Sequence, residues 1–226
     1  SLGPKVAEKI MVTRHIKELM PETLDESVRP VSCISPGVLG VTGIETGEVI
    51  KSVVDKIKPD LVICIDALGS RKLERVNRTI QIADSGISPG AGVGNNRMKL
   101  NEESLGVKVI GIGVPTVVHA ATIANDVIDL VIEDLIGKVE KGKEFYELLN
   151  SMDKKEKEEI MRSALNNDVS ELMVTPKNVD STIESLSKII ANGINMAIQP
   201  NLDMEEMFYT LKCMIEDGII IDTYGK

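Results

Sequence analysis

The sequence predicts an α/β protein, built as a three-layer sandwich with a largely parallel central sheet and additional C-terminal helices. Two observations lead to this prediction. Residues 61–66, LVICID, form a continuous apolar and β-branched run, which is typical of a strand buried on both faces of a parallel sheet. Runs of this kind alternate along the chain with helical periodicity. With 226 residues, 42% of them hydrophobic, the chain can bury one sizeable core. We therefore predict a single α/β domain over residues 1–226, with a helical extension from about residue 138.

The strand predictions rest on short segments rich in apolar or β-branched residues. The run that ends at Asp66 is expected to be the central strand of the sheet. Further along the chain, the segment Gly111–Pro115 is expected to be a tight strand end, not a cofactor motif. Four strands are predicted in total, at Pro30–Ile34, Leu61–Asp66, Thr79–Ala83 and Val107–Gly113.

Helices are predicted between and after these strands. The first three cover Pro4–Met20, Glu45–Lys58 and Val118–Ile136, and Pro59 terminates the second because the residue before a proline is pushed out of the helical region. A charged stretch over residues 141–166 is expected to be a solvated helix. Apolar residues at three- and four-residue spacing predict a last, amphipathic helix: Val179, Ile183, Leu186, Ile190 and Ile194.

Composition and charge narrow the range of partners and locations. Twenty-six basic residues against thirty-five acidic ones give a net charge of −9, which argues against direct binding to a nucleic-acid backbone. No apolar run is long enough to cross a bilayer, and the first residues lack the order of a signal peptide. We therefore expect a soluble, cytoplasmic protein with no membrane partner.

The sequence offers no pattern for a cofactor or a metal. The three cysteines, Cys33, Cys64 and Cys213, are widely separated and are expected to be buried, reduced thiols. His15 and His119 are isolated from each other, and no HExxH or Walker motif occurs. The spacing of glycines around residues 90–94 does not fit a dinucleotide fingerprint. We therefore predict no cofactor.

Asp66 is the main candidate for chemistry. It is expected at the carboxyl end of a strand, where open α/β sheets place their ligands. Burial raises the pKa of a carboxyl group, and a second carboxylate nearby raises one of the two further. Taken alone, Asp66 is equally well a catalytic acid or a structural cap that accepts backbone N–H bonds. Glu45, Asp84 and the loop Gly90–Asn96 flank the predicted strands and are secondary candidates for shaping the cleft.

Several long blocks of this sequence resemble the germination protease family. The most specific are LGPKVAEKIMVTRH, RPVSCISPGVLGVTGIETGEVI, KPDLVICIDALGSRKLERVNRTIQIADSGISPGAGVGN and VIGIGVPTVVHAATIAND. The resemblance implies an atypical aspartic endopeptidase, made as a zymogen, whose fold is similar to that of hydrogenase maturation proteases. It also implies a homotetramer in the forespore or spore core that degrades small acid-soluble spore proteins during germination.

The resemblance assigns two aspartates to catalysis. One lies in the family's I-D-A-L motif, which falls on Asp66 here. The other belongs to a motif that ends in Leu2-Gly3-Pro4, so that it would directly precede Ser1. This sequence is therefore expected to be an N-terminally truncated fragment without activity. His119 departs from the family pattern, because an acidic residue is expected after PTVV.

Two alternatives remain open from the residues. In the first, the chain resembles a metal-dependent maturation-type peptidase, with Asp66 and Glu45 as oxygen ligands. In the second, it is a non-catalytic peptide-binding module, in which Asp66 caps a helix or pairs with Arg71 or Arg75.

Overall fold

A computed structural model of the chain describes residues 1–90, 97–138, 151 and 172–201. The chain divides into two compact units. The first contains Ser1–Gly3 and Pro36–Glu184, and the second contains Pro4–Ser35 and Ser185–Lys226.

The first unit is built on a sheet in the order β1-β3-β2, with β4 also paired to β3. The parallel pairing of β1 with β3 is the longest in this sheet, whereas β2 and β4 pair with β3 in the antiparallel direction. A mixed α/β fold with a partly parallel sheet is thereby confirmed. The described strands are β1 (Leu61–Ser70), β2 (Gln81–Ala83), β3 (Lys108–His119) and β4 (Met173–Val174).

The sheet differs from the prediction in three respects. Among the described strands, β1 lies at an edge of the sheet instead of its centre, and only one of the three pairings is parallel. β3 runs well past Gly113, so Gly111–Pro115 lies inside the strand and not at its end. The predicted strand Pro30–Ile34 does not form; the backbone of Val31 instead bonds to Thr13 and to the N–H of Arg14.

Most helix predictions agree with the structure. The predicted helix Glu45–Lys58 forms as α4, with Glu45 as its N-cap residue and Lys58 as a left-handed C-cap. The charged stretch over residues 141–166 lies outside the described residues apart from Ser151. The helices are α1 (Leu2–Ala7), α2 (Arg14–Leu19), α3 (Leu39–Thr42), α4 (Thr46–Ile57), α5 (Glu102–Leu105), α6 (Ala120–Lys138) and α7 (Val179–Ile198).

The first predicted helix, Pro4–Met20, is wrong as a single element, because the chain breaks between α1 and α2. Side chains and backbone from elsewhere in the second unit form hydrogen bonds with the residues at this break. The backbone N–H of Met11 donates to Asn195 Oδ1 at 3.0 Å, and Thr13 Oγ1 donates to the carbonyl of Arg29 at 2.6 Å. The backbone of Thr13 also donates to the carbonyl of Val31. These bonds replace the helical hydrogen bonds that a continuous helix would make.

Two buried amides on α7 and just after it organise the second unit. Asn195 accepts from the backbone of Met11, and its Nδ2 donates to the carbonyl of Lys9. Gln199 accepts from the backbone N–H of Arg29 and donates to the carbonyl of the same residue. Both amides are 2% exposed, so they satisfy backbone groups that water cannot reach.

One cluster of buried side chains in the first unit lies on one face of the β1–β3 ladder. Its buried members are Cys64, Ile87, Leu100, Leu105 and Val109. Partly buried residues of α4, the strands and the segment before α5 pack against them: Ile50, Val62, Leu68, Met98 and Val107.

Cys64 and Cys33 are free thiols; Cys64 is buried, as expected, whereas Cys33 is only half-buried. Burial raises the pKa of the Cys64 thiol to about 11, and it also raises the pKa of the half-buried Cys33. Cys213 lies outside the described residues. Within the described ranges, no helix combines the length and apolarity that a membrane-spanning segment requires.

Candidate functional site

Asp66 lies on the face of β1 that carries the cluster of Cys64 and Val109. Successive side chains of a strand point to opposite faces, so Asp66 shares its face with Cys64 and Leu68. The ladder with β3 is regular up to Leu68, where a bulge begins. Cys64 and Leu68 both pack in the core cluster, and Asp66 stands between them as a half-buried carboxyl group. The prediction that Asp66 stands at the carboxyl end of the strand is wrong, because β1 continues for four more residues and ends at Ser70.

The partner strand presents a glycine opposite this carboxyl group. Asp66 pairs in register with Gly113 of β3. A Cβ atom added at Gly113 would lie 2.3 Å from Leu68 Cδ1, so the side chain of Leu68 lies over the glycine. The floor beside Asp66 is therefore glycine backbone covered by a leucine, and β3 supplies no side chain at this point.

Opposing influences act on the Asp66 carboxyl group. Burial raises its pKa, which is the dominant effect, while the backbone N–H of Ala67 and the positive charge of Arg97 lower it. The Ala67 N–H donates to Asp66 Oδ1 at 2.8 Å. That bond is local to the strand, so in the structure Asp66 does not cap a helix. Nor is there an ion pair between Asp66 and either Arg71 or Arg75 among the described residues.

The N-terminal end of α4 lies close to this part of the sheet. The side chain of Met98 fills the space beside Gly47, where an added Cβ atom would be 2.5 Å from its sulfur. Met98 packs in the same cluster as Leu68. Glu45, two residues before Gly47, is half-buried, and its side chain makes no capping hydrogen bond.

The other secondary candidates are Asp84 and the loop Gly90–Asn96. Asp84 is exposed and follows β2, whose residue Gln81, not Asp84, stands beside Gly113. Only Gly90 of the predicted loop Gly90–Asn96 belongs to the described residues. The two ends of that segment are held together, because Ile87 and Leu100 exchange a pair of backbone hydrogen bonds of 2.9 and 2.8 Å.

Asn77 is a notable residue that the sequence analysis missed. It adopts a left-handed backbone conformation with φ of 58°, and its N–H donates to the carbonyl of Pro115 at 2.7 Å. Both polar atoms of its side chain are buried and have no hydrogen-bond partner among the described residues. The only signal in the sequence is that asparagine tolerates this backbone region better than most residues.

Histidines and potential metal ligands are dispersed in the described chain. His119 ends β3 and pairs with Met173 of β4, whereas His15 lies in α2. In the parts of the chain that the structure describes, no group of three or more His, Cys, Asp or Glu side chains is gathered in a way that could hold a metal ion.

Comparison with known sequences decides the family. The family model described as germination protease matches residues 1–144 and 133–210. The chain belongs to the germination protease family. Germination proteases of Clostridium perfringens (strain SM101) and Clostridium tetani are 65% and 63% identical to it over 207 residues, which is 92% of this chain and 64% of each relative. The germination protease of Bacillus licheniformis is 43% identical over 235 residues, which covers 91% of this chain and 64% of that protein.

These matches confirm the family resemblance seen in the sequence blocks. The chain thus spans about two thirds of the length of the germination proteases it matches, at 64% of each. The family match covers β1 with Asp66, the ladder to β3 and the segment before α5, which together form the candidate site.

Proposed function

We propose that this chain is part of an endopeptidase that degrades small acid-soluble spore proteins during germination, and that Asp66 is one of two catalytic carboxyl groups. The observation that best supports this proposal is the contact between the start of α1 and β1. A Cβ atom added at Gly3 would lie 3.1 Å from the carbonyl oxygen of Ile65, the residue directly before Asp66.

This contact bears on the second aspartate that the family resemblance implies. That aspartate would directly precede Ser1, three positions before Gly3. Three residues of extended chain span at most about 11 Å. Leu2 is fully buried, which fixes the start of α1 against the first unit. A carboxyl group at that position would therefore be within reach of Asp66.

Two carboxyl groups in such a place can share one proton. Burial already raises the pKa of Asp66, and a second carboxylate nearby would raise one of the two values further. The ionised member can then deprotonate a water molecule while the protonated member polarises the scissile carbonyl. Neither group can perform both steps, so the loss of one should remove most of the rate acceleration.

The remaining features of the proposal follow from the family. We propose a zymogen that is matured by removal of a propeptide, a homotetrameric assembly, a location in the spore core, and a fold similar to hydrogenase maturation proteases. The proposed partners are the substrate proteins, without direct binding to nucleic acid or membrane. The 226 residues alone are proposed to be inactive, because the second aspartate would precede Ser1.

A cleavage assay on a small acid-soluble spore protein tests the proposal. The reference is a chain extended N-terminally to the mature length of its relatives, without propeptide. We expect Asp66→Asn in that protein to lose activity by about 10³-fold or more. Asp60→Asn is the matched control, because Asp60 is an exposed carboxylate just before the same strand, and it should keep full activity. The 226-residue chain should show no cleavage.

Three results would separate the alternatives. Cleavage by the Asp66→Asn protein at a rate near that of the reference would remove Asp66 from the mechanism and favour a binding role. Cleavage by the 226 residues alone at such a rate would contradict the two-aspartate proposal. Loss of activity on dialysis against a chelator, restored by a divalent metal, would favour a metal-dependent peptidase with Asp66 and Glu45 as ligands.

A further inference from the structure

The segment between β1 and β2, residues 71–78, has a charge opposite to that of the chain as a whole. Its sequence, RKLERVNR, holds four basic residues and one acidic residue. The rest of the chain holds the other 22 of 26 basic residues and the other 34 of 35 acidic ones. All four basic side chains of this segment are exposed: Arg71, Lys72, Arg75 and Arg78. We call residues 71–78 the basic segment.

The backbone of the basic segment is fixed to the first unit at several points. The N–H of Leu73 donates to Oδ2 of Asp126 on α6 at 2.6 Å. Val76 is buried at 6% exposure, and the N–H of Asn77 donates to the carbonyl of Pro115 at 2.7 Å. The charged side chains therefore extend from a fixed backbone, so a ligand that binds them has little backbone entropy to remove.

The bond to Pro115 also gives the position of the basic segment relative to Asp66. Pro115 lies on β3 two residues beyond Gly113, the register partner of Asp66. Asn77 occupies the position of a neighbouring strand on the other side of β3. Since strands lie about 4.8 Å apart and rise about 3.3 Å per residue, its backbone is about 12 Å from that of Asp66. A short stretch of extended polypeptide can therefore contact both the carboxyl group and the basic segment.

Acidic groups of the protein compensate for this positive charge only in part. Glu74 lies within the segment, with its Oε1 3.9 Å from Lys72 Nζ. The carboxylate of α6 that contacts the segment is bonded to its backbone. Among the described residues, no ion pair involves Arg71, Arg75 or Arg78. Three guanidinium groups are thus left to interact with a partner.

The chemistry of the segment favours an acidic polypeptide as that partner. A guanidinium group binds a carboxylate through two parallel hydrogen bonds, and an acidic polypeptide needs only a few such contacts at one place. A nucleic acid continues its negative charge beyond the segment, where the net acidic remainder of the chain repels it. Aromatic residues, at 2% of the chain, also offer little surface for stacking of bases.

We propose that the basic segment is the surface on which acidic side chains of the polypeptide substrate dock, with Arg75 and Arg78 as the main contacts. The N–H of Arg78 donates to the carbonyl of Arg75 at 3.2 Å, so both arginines lie on one turn beside the bond from Asn77 to β3. That the docked polypeptide is a substrate rests on the proposed function, whereas the binding itself does not.

Binding is measured on the 226-residue chain, without any assay of activity. The probes are two fluorescein-labelled peptides, one of Glu-Ala-Ser repeats and one of Gln-Ala-Ser repeats, followed by fluorescence anisotropy. We expect the glutamate peptide to bind more tightly. Arg75→Gln and Arg78→Gln should each weaken its binding by about 3-fold, and the double variant by about 10-fold. Added salt should reduce the difference between the two peptides.

The matched control is the double variant Lys56→Gln/Lys108→Gln. It removes the same charge from two exposed side chains, and Lys108 begins β3 at the opposite end of its ladder with β1. This variant should bind the glutamate peptide as the parent chain does. Both double variants should keep the Tm of the parent, because all four side chains are exposed.

The role in catalysis is measured on the extended, mature-length protein. With the spore-protein substrate, Arg75→Gln/Arg78→Gln should raise KM by about 10-fold and leave kcat nearly unchanged, since the arginines bind substrate away from the reacting bond. A fall in kcat at constant KM would contradict a docking role.

The other outcomes separate docking from the proposed function. Equal affinity for the two peptides, or no binding of either at millimolar concentration, would overturn the inference. A loss in the lysine control as large as that in the arginine variant would do the same, because net charge alone would then explain it. Tighter binding of double-stranded DNA than of the glutamate peptide would make the segment a nucleic-acid surface instead. The expected binding together with undiminished cleavage by Asp66→Asn would support the docking surface and contradict the proposed role of Asp66.

Discussion

At the scale of single residues, Asp66 is unfavourable for folding in its charged form. Its carboxyl group is partly removed from water and lies between two side chains of the cluster, Cys64 and Leu68. One backbone hydrogen bond and one distant guanidinium group compensate for this only in part. Such an arrangement is typical of groups retained for chemistry instead of stability.

The pKa of Asp66 leads to a prediction about stability and pH. Its native pKa is raised above the ordinary value of 3.8, so the native state binds the proton more tightly than the unfolded state. The corresponding stability is fully present below the unfolded pKa and is lost as the pH rises through the native pKa. Asp66→Asn does not titrate and keeps an acceptor for the Ala67 N–H. We therefore expect this variant to be more stable than the parent chain at neutral pH, with a difference that vanishes in acid.

Thermal unfolding at several pH values measures this difference, at roughly 2–4 °C in Tm for each kcal/mol in a chain of this size. Asp60→Asn should show no such trend. A variant less stable than the parent at neutral pH would mean that the carboxylate makes a favourable contact in the native state. The measurement also supports the activity test, because inactive but more stable protein cannot be explained by misfolding.

Asn77 is the second residue with an unusual environment. A buried amide without a partner costs about 1–3 kcal/mol, and its left-handed backbone adds further strain. It is bonded through its own N–H to Pro115, whose register partner is Leu68. This cost is thus located on the same ladder as Asp66, two residue pairs further along.

At the scale of elements, the sequence predicted where strands begin better than where they end or what they pair with. The apolar run stops at Ile65, yet β1 continues to Ser70 because β3 offers it a partner as far as Val118. That extension depends on a pairing of distant segments, which local periodicity does not contain. For the same reason the edge position of β1 among the described strands could not be predicted.

The residues of the candidate site show the same difference between local signals and long-range contacts. A carboxylate directly after an apolar run was enough to single out Asp66. Arg97 and Asn77 could not be singled out in this way, because their significance comes from side chains and backbone that lie far away in sequence. The break in the predicted first helix has a similar origin, since Asn195 captures the backbone of Met11 from the other end of the chain.

The glycines of β3 and α7 allow a prediction about packing. A Cβ atom at Gly111 would lie 2.6 Å from the carbonyl oxygen of Gly86, which is backbone and cannot rotate away. We expect Gly111→Ala to cost about 1–3 kcal/mol or more. At Gly113 the obstacle is the end of the Leu68 side chain, which can change rotamer, so Gly113→Ala should cost less. Gly193 is open and exposed within α7, and Gly193→Ala should stabilise by about 1 kcal/mol.

Denaturant unfolding of the three variants gives this order directly. Equal losses for Gly111→Ala and Gly113→Ala would show that the backbone of Gly86 yields as easily as a side chain. That result would contradict the close packing described between β3 and the segment before the Ile87–Leu100 bridge.

At the scale of the whole molecule, the chain covers 64% of the length of its relatives, so the assembly proposed for the family concerns the extended protein. We expect that protein to be a homotetramer by light scattering, with four times the mass of its protomer. Apolar side chains exposed on α6, Leu130 at 63% and Val131 at 52%, favour association because burying them removes apolar surface from water.

Leu130→Glu should then shift the extended protein towards smaller species, while Asp129→Glu on the same helix should not. A monomer at all concentrations would contradict the proposed assembly. A tetramer that Leu130→Glu leaves intact would place the interface on another surface.

The bridge between Ile87 and Leu100 also determines how freely this family member can be engineered. Because its two hydrogen bonds join Ile87 directly to Leu100, they close the chain at the base of the intervening segment whatever the number of residues inserted between positions 91 and 96. The entropic cost of closing a chain segment grows slowly with its length, by only about 0.6 kcal/mol for each doubling. A short epitope or a fluorescent amino acid could therefore be inserted there at little thermodynamic cost, which would place a reporter a few residues from Arg97.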